Sequence, residues 1–139
     1  MDFTDKLDIL YARRSSEDGK DGESIENQIA LLKQYAADKG YYNIKVITDD
    51  GYTGTNFNRP GFQEALALIQ HRRVGRFIVK DLSRLGRNTV EVGQYIGVVF
   101  PRFGVEFISV HDGPESGDPD SLITQFKNIM NEYYAKDIS

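Results

Sequence analysis

Leu7-Asp8-Ile9-Leu10-Tyr11-Ala12-Arg13 is the stretch that decides the fold: a short apolar run that becomes hydrophilic only at its exit. Its length and its ending read as a buried first strand rather than a helix. The residues that follow, Arg14 to Glu23, carry glycines and several charges and read as a loop. Ser24 then suits a helix N-cap, and Glu26 falls in the first turn, where the helix dipole favours an acid. Ile25, Ile29, Leu32, Tyr35 and Ala36 keep helical spacing until Gly40.

The same alternation continues along the chain. Tyr42, Ile44, Val46 and Thr48 alternate as a second strand, and DDGYTGTNFNRPG is a turn-rich loop. Gly61 to Arg73 places Phe62, Ala65, Leu66 and Ile69 on one helical face, and Phe77, Ile78 and Val79 form a third strand that exits into KDLSRLGRN. A helix from Asn88 or Thr89 through Phe103 is expected to be weakened or broken by Gly93, Gly97 and Pro101. Val105 to Val110 is a fourth strand. After HDGPESGDPD, Asp120 or Ser121 caps a helix presenting Leu122, Phe126, Ile129 and Tyr133 at spacings of three and four. Strands alternating with helices imply one α/β domain around a largely parallel sheet. In such sheets ligands bind beyond the carboxyl ends of the strands, and the polar clusters Arg13 to Ser16, Asp49 to Arg59 and Lys80 to Arg87 all fall there.

Composition narrows the chemistry. At 139 residues and 40% hydrophobic, the chain fits one compact domain. It contains no cysteine and only two histidines, His71 and His111, which removes thiolate zinc sites and makes an imidazole-rich metal site improbable. No run of about 18 apolar residues spans a bilayer and the start resembles no signal peptide, so a cytoplasmic protein is expected. The net charge of -4 taken alone argues against DNA binding. Its distribution argues otherwise, since Arg13, Arg14, Arg59, Lys80, Arg84 and Arg87 gather near predicted element ends.

Cleaving a phosphodiester without metal needs a nucleophile, a route for its proton, and cations that stabilise the added negative charge. Arginine suits the last task because its fork matches two phosphate oxygens and stays charged. Ser15 has Arg13 two residues before it, with Arg84 and Arg87 arriving from another strand end and Arg59 from a loop. That set is consistent with phosphoryl transfer by positioning and electrostatics.

Tyr11-Ala12-Arg13-Arg14-Ser15 resembles the signature of the serine site-specific recombinases, the resolvase/invertase superfamily, and Ser24-Ile25-Glu26-Asn27-Gln28 resembles the motif that follows it. Tyr52-Thr53-Gly54-Thr55 with Arg59-Pro60-Gly61 is similar to the third block, and Leu82 to Asn88 to the most diagnostic one. Asn131 to Ser139 looks like the start of the long helix in the large, transposon-type or phage-integrase-type branch. The resemblance implies a three-layer domain over residues 1–139 with a mostly parallel sheet of four to five strands, residues 120–139 beginning the oligomerisation helix. It implies that Ser15 attacks the scissile phosphate to leave a 5′-phosphoserine and a free 3′-hydroxyl, without metal or nucleotide cofactor. Arg13, Arg84 and Arg87 are expected to hold the phosphate, Arg59 to lie near it, Gln28 to position groups around Ser15, and Arg14, Thr53 and Lys80 to contact DNA.

Two departures point to the large branch: Ser83 stands where small resolvases carry Asp, and Tyr133 where they carry Arg. They leave the acid for the 3′-leaving group open, with Arg84 the preferred candidate. Two rival readings stay beside this one. Asp49, Asp50 and Asp81 at strand ends suit a Mg²⁺-dependent phosphoryl transferase with Lys80 as a phosphate contact, and a fold relative serving only as a dimerisation module would bind anions passively. The resemblance further implies double-stranded attachment-site DNA as substrate, self-association to a dimer and a synaptic tetramer through Ile129, Met130 and Tyr133, and a bacterial, phage or mobile-element origin. DNA-binding domains, the attachment-site sequence and any directionality factor are expected to be encoded beyond this stretch or outside the protein.

Overall fold

The computed structural model describes residues 6–14, 24–52, 57–85 and 89–112. Strand β1, Leu7–Arg14, is buried along nearly all its length because it is an inner strand, flanked by β2 (Ile44–Asp50) and β3 (Val74–Val79). With β4 (Glu106–Ser109) the order is β2-β1-β3-β4, and every pairing is parallel. Four strands are present among the described residues, the lower of the numbers expected. A parallel sheet needs covering on both faces. Side chains alternate across β1, so Leu10 meets one layer while Ile9 and Tyr11 meet the other.

Helix α1, Ile25–Lys39, covers the first face, where Leu32 and Ala36 pack on Leu10, Ile78 and Ile108. Helix α2, Pro60–Gln70, covers the second with Phe62, Ala65 and Ile69 against Ile9, Tyr11 and Phe77. Phe77 stacks on Phe100 and Phe107 at centroid distances of 5.4 and 6.2 Å. Removing one such ring from water contributes about 1.5–3 kcal/mol. The result is a three-layer α/β domain.

Helix ends show where local rules hold and where they yield. Ser24 caps α1 by accepting from Asn27 N at 3.1 Å, and the helix closes on Gly40 in the left-handed region at φ 78°. Helix α2 stops at Gln70 rather than at Arg73. Its closure is a Schellman turn in which Arg72 N donates to Ile69 O at 2.9 Å and Arg73 N to Leu68 O at 3.0 Å. Arg72 takes φ 59°, the position glycine usually fills, at a cost of about 1–2 kcal/mol for a residue with a Cβ. The early stop frees Val74 to begin β3 three residues before the expected Phe77.

Strand β2 begins at Ile44, leaving Tyr42 exposed in the preceding turn, and runs on to Asp50 because β1 continues to pair with it as far as Arg14. The exit of β3 into KDLSRLGRN holds one short helical turn, α3 (Leu82–Leu85). Gly93, Gly97 and Pro101 do not break the next helix. It runs as α4 (Thr89–Gln94), a π-helical turn (Tyr95–Val99) and α5 (Phe100–Arg102). A proline ring crowds the carbonyl four residues back, and the wider π turn, with Phe100 N bonded to Tyr95 O, lets the chain pass Pro101. Strand β4 is one residue shorter at each end than expected, Val110 turning into a 3₁₀ segment. The helix expected from residue 120 onward lies outside the described residues. No helix among the described residues is long and apolar enough to cross a membrane.

Candidate active site

The carboxyl ends of β1, β2 and β3 meet at one place, and three arginines distant in sequence converge on it. Arg13 leaves the end of β1 on the same face as Ile9 and Tyr11, four and two residues earlier. Its guanidinium donates from Nε to the Arg84 carbonyl at 3.1 Å, from Nη1 to the Tyr52 carbonyl at 2.9 Å, and from Nη2 to the Ser83 carbonyl at 2.6 Å. Arg84 returns the contact, donating from Nη1 to the Arg13 carbonyl at 3.0 Å. The end of β1 and the segment that follows β3 are thus fastened to each other, each by a buried cation. Asp81 lies behind Arg84 at 3.7 Å and accepts from the Ser83 amide at 3.0 Å and from the Ser83 hydroxyl, fixing the start of α3.

Gln28 reaches the same strand end from the first turn of α1. Its Oε1 accepts from Arg13 N at 3.2 Å and its Nε2 donates to Arg13 O at 3.0 Å, so one amide satisfies both main-chain groups of the residue. The side chain is fully buried. The pairing of β1 with β3 stops at Leu10, which leaves such groups without ladder partners on that side, and burial makes missing bonds costly.

A second layer supports the first. Arg59, 1% exposed, donates from Nη1 to the Tyr11 hydroxyl at 2.8 Å and to the Arg84 carbonyl at 3.3 Å, and from Nη2 to the Leu85 carbonyl. Phe57 lies 4.7 Å and Phe62 5.4 Å from its guanidinium carbon, where ring faces attract the cation. The Tyr11 hydroxyl donates in turn to Asp49 Oδ2 at 2.7 Å. Asp49 also accepts from Gly61 N at 2.8 Å and Phe62 N at 2.9 Å, the first free amides of α2. Burial pushes the Tyr11 phenol above its ordinary value, a rise opposed by the Arg59 charge and reinforced by Asp49. The phenol therefore stays protonated and the direction of the chain is set: Arg59 to Tyr11 to Asp49. Arg13 and Arg59 are buried with their guanidiniums on carbonyl dipoles, and cations fixed in a water-poor surrounding suit a developing negative charge.

Comparison with known proteins bears on this geometry. A family model described as "Resolvase, N terminal domain" matches residues 9–139. The chain belongs to that family. Among solved structures it is similar to the N-terminal catalytic domain of TP901-1 integrase, with 27% identity, TM-score 0.73, and coverage of 94% of this chain and 97% of that one. It is also similar to the C-terminal catalytic domain of ISC1926 TnpA, an IS607-like serine recombinase, at 29% identity and TM-score 0.62, covering 94% and 84% of the two chains. A serine recombinase from Sulfolobus solfataricus matches at 29% identity and TM-score 0.60 with the same coverage. The match is to the catalytic domain of the large serine recombinases.

Within this resolvase domain, Arg13, Arg84, Arg59 and Gln28 are brought together. Arg14 and Lys80 are half-buried at the ends of their strands, where Arg14 O accepts from Gly51 N at 2.7 Å and Lys80 O from His111 N at 2.9 Å. Ser15, Thr53, Arg87, Ile129, Met130 and Tyr133 lie outside the described residues. The carboxylates of the rival reading take separate tasks: Asp49, in β2, is buried against the first amides of α2, Asp50 is exposed beside it, and Asp81 holds α3. Among the described residues no group of three or more His, Asp or Glu is placed to hold a metal ion.

Arg59 and Gln28, polar residues of types usually found in water, are both buried. Tyr11 was legible only as a letter in a motif. Its signal was a lone hydroxyl in an aliphatic strand, two residues before Arg13 and so on the same face. Asp49 joins it as a supporting residue, its carboxylate taken up by the Tyr11 hydroxyl and the Gly61 and Phe62 amides.

Proposed function

We propose that this domain cuts and rejoins duplex DNA, with Ser15 as nucleophile. The observation that carries the reading is the convergence of Arg13, Arg59 and Arg84 with Gln28 at the carboxyl end of β1, two residues before Ser15. In cleavage the Ser15 Oγ forms a bond to phosphorus as the bond from phosphorus to the 3′-oxygen breaks. The hydroxyl proton leaves to a base and the 3′-oxygen takes up a proton. After strand exchange the 3′-hydroxyl attacks the phosphoserine and the steps reverse, so no net bond energy is lost and no external energy source is required.

Arg13, Arg84 and Arg87 stabilise the charge on the phosphoryl oxygens, with Arg59 behind them and Gln28 fixing the strand end that carries the nucleophile. Arg14, Thr53 and Lys80 contact neighbouring DNA. Residues 1–139 form the catalytic unit, and residues 120–139 open a helix through which Ile129, Met130 and Tyr133 bring subunits together as a dimer and then a synaptic tetramer. Incubating the protein with its attachment-site DNA in the presence of EDTA tests this. A covalent complex linked to the 5′ end is expected from wild type and not from Ser15→Ala. Cleavage that stops with EDTA would favour the Mg²⁺ reading instead.

A further inference from the structure

The far end of the sheet from these arginines carries another cationic group. Arg72 and Arg73 close the Schellman turn of α2, and Arg102 ends α5. The Arg72 guanidinium lies over the ring of Phe103, 5.3 Å from its centroid. Leu7 N donates to Arg73 O at 2.7 Å, which places the group beside the amino ends of β1 and β3. Arg72, Arg73 and Arg102 are all exposed.

Their neighbours make this arrangement unusual. Arg76, a short way along β3, is neutralised by Asp8 at 3.2 Å and approaches Glu106 at 3.7 Å. Among the described residues no carboxylate pairs with Arg72, Arg73 or Arg102. The chain as a whole has 21 acidic residues against 17 Lys and Arg, so partners are plentiful. Arg72 also occupies the left-handed position that glycine would take without strain. A single residue thus carries both backbone strain and an uncompensated charge. Solubility would be served equally by lysine elsewhere, whereas planar forks match phosphate oxygens and stacking on Phe103 pre-orients one of them.

We propose that Arg72, Arg73 and Arg102 form a docking surface for backbone phosphates of duplex DNA other than the scissile one. The six residues of β3 separate this surface from the Lys80–Arg84 end by roughly 20 Å. One helical turn of duplex spans about 34–36 Å, so the phosphates this surface would take lie many ångströms from the scissile one, on the same segment or on a second. The inference rests on the reading of the domain as a DNA recombinase. An acidic protein face, another copy of this chain included, is the competing occupant. DNA is favoured because all three cations are guanidiniums and because the proposed reaction gathers several duplex arms around the domain.

The test is the salt dependence of binding to a non-cognate duplex over about 50–200 mM salt, where each lost phosphate contact makes the log–log slope shallower by about 0.9. Combining Arg72→Gly, Arg73→Ser and Arg102→Gln is expected to lower the slope by about 2–3 units. Arg72→Gly alone is expected to lower it by about 1 while raising the melting temperature by a few degrees, because strain is relieved. That pairing of higher stability with weaker binding is not expected of a structural residue. Unchanged slopes in folded variants would overturn the proposal. So would unchanged slopes with loss of low-salt self-association, which would assign the surface to an acidic protein face. The variants keep Ser15, so the covalent adduct reports separately on the proposed chemistry.

Discussion

Gln28 closes on the main chain of Arg13 from both sides, accepting from its N–H at 3.2 Å and donating to its carbonyl at 3.0 Å. The contact ties the first turn of α1 to the strand end that leads to Ser15, and it is sealed from water. Gln28→Ala removes the amide's bonds to the Arg13 N–H and carbonyl, of which the carbonyl keeps its contact with Arg84 Nη1, and is expected to cost about 1–3 kcal/mol. Denaturant unfolding reads that loss. Cleavage is expected to fall further than stability alone explains, since the variant frees the nucleophile segment. Equal cleavage rates in a folded Gln28→Ala protein would remove Gln28 from the site.

Tyr11→Phe keeps the ring that packs against Phe62 and Phe77 while deleting the oxygen between Arg59 and Asp49. Two buried charged groups each lose one hydrogen bond, for an expected loss of about 2–4 kcal/mol. The rate of adduct formation is expected to drop while affinity for DNA holds, because Arg59 contacts the carbonyls of Arg84 and Leu85 and sets the course of α3. Single-turnover cleavage beside equilibrium binding separates the two.

Alkaline unfolding gives an independent view of the same phenol. Its affinity for the proton is raised in the folded state above the ordinary 10.0, chiefly by burial. The folded protein therefore keeps this proton at pH values where the unfolded chain has lost it. The contribution is complete below about pH 10 and declines as pH rises toward the folded value, by up to about 1.4 kcal/mol per pH unit. Wild type is expected to lose stability more steeply than Tyr11→Phe above pH 10. Parallel curves would place the phenol in water.

Gly61 is needed for a close approach rather than for an unusual backbone angle. A Cβ there would sit 2.7 Å from the Thr48 carbonyl oxygen and 2.8 and 2.9 Å from the Asp49 carboxylate oxygens. Gly61→Ala must push α2 off Asp49, at an expected cost of about 1–3 kcal/mol. A melting curve reads the loss, and a structure of the variant is expected to show Asp49 withdrawn from the Phe62 amide.

Much of this architecture was legible because local and global demands agree. The apolar run ending at Arg13 could only be an inner strand, and Ser24 and Gly40 mark the two ends of α1 through capping chemistry that is local in sequence. The end of α2 was misplaced because Arg72 adopts a glycine conformation without being glycine. The π turn was invisible for a related reason: it resolves the conflict between Pro101 and a helix that Ile96 and Phe100 anchor in the core.

At the site, charge misleads. The sequence places Arg59 near the site but not what buries it: carbonyls of Arg84 and Leu85 and rings of Phe57 and Phe62 are contacts that only the folded chain assembles. Arg13, Arg84 and Gln28 were legible as members of spaced motifs. Their mutual bonds were not, because main-chain carbonyls carry no sequence signature.

The most direct measurement is peptide mapping of the trapped protein–DNA complex by mass spectrometry. The phosphate of the 5′ nucleotide is expected on Ser15, two residues beyond the Arg13 that the whole cluster holds. Phosphate found on Ser16, on another residue, or on no residue of a complex that nevertheless cuts DNA would contradict the assignment of Ser15 as the attacking group.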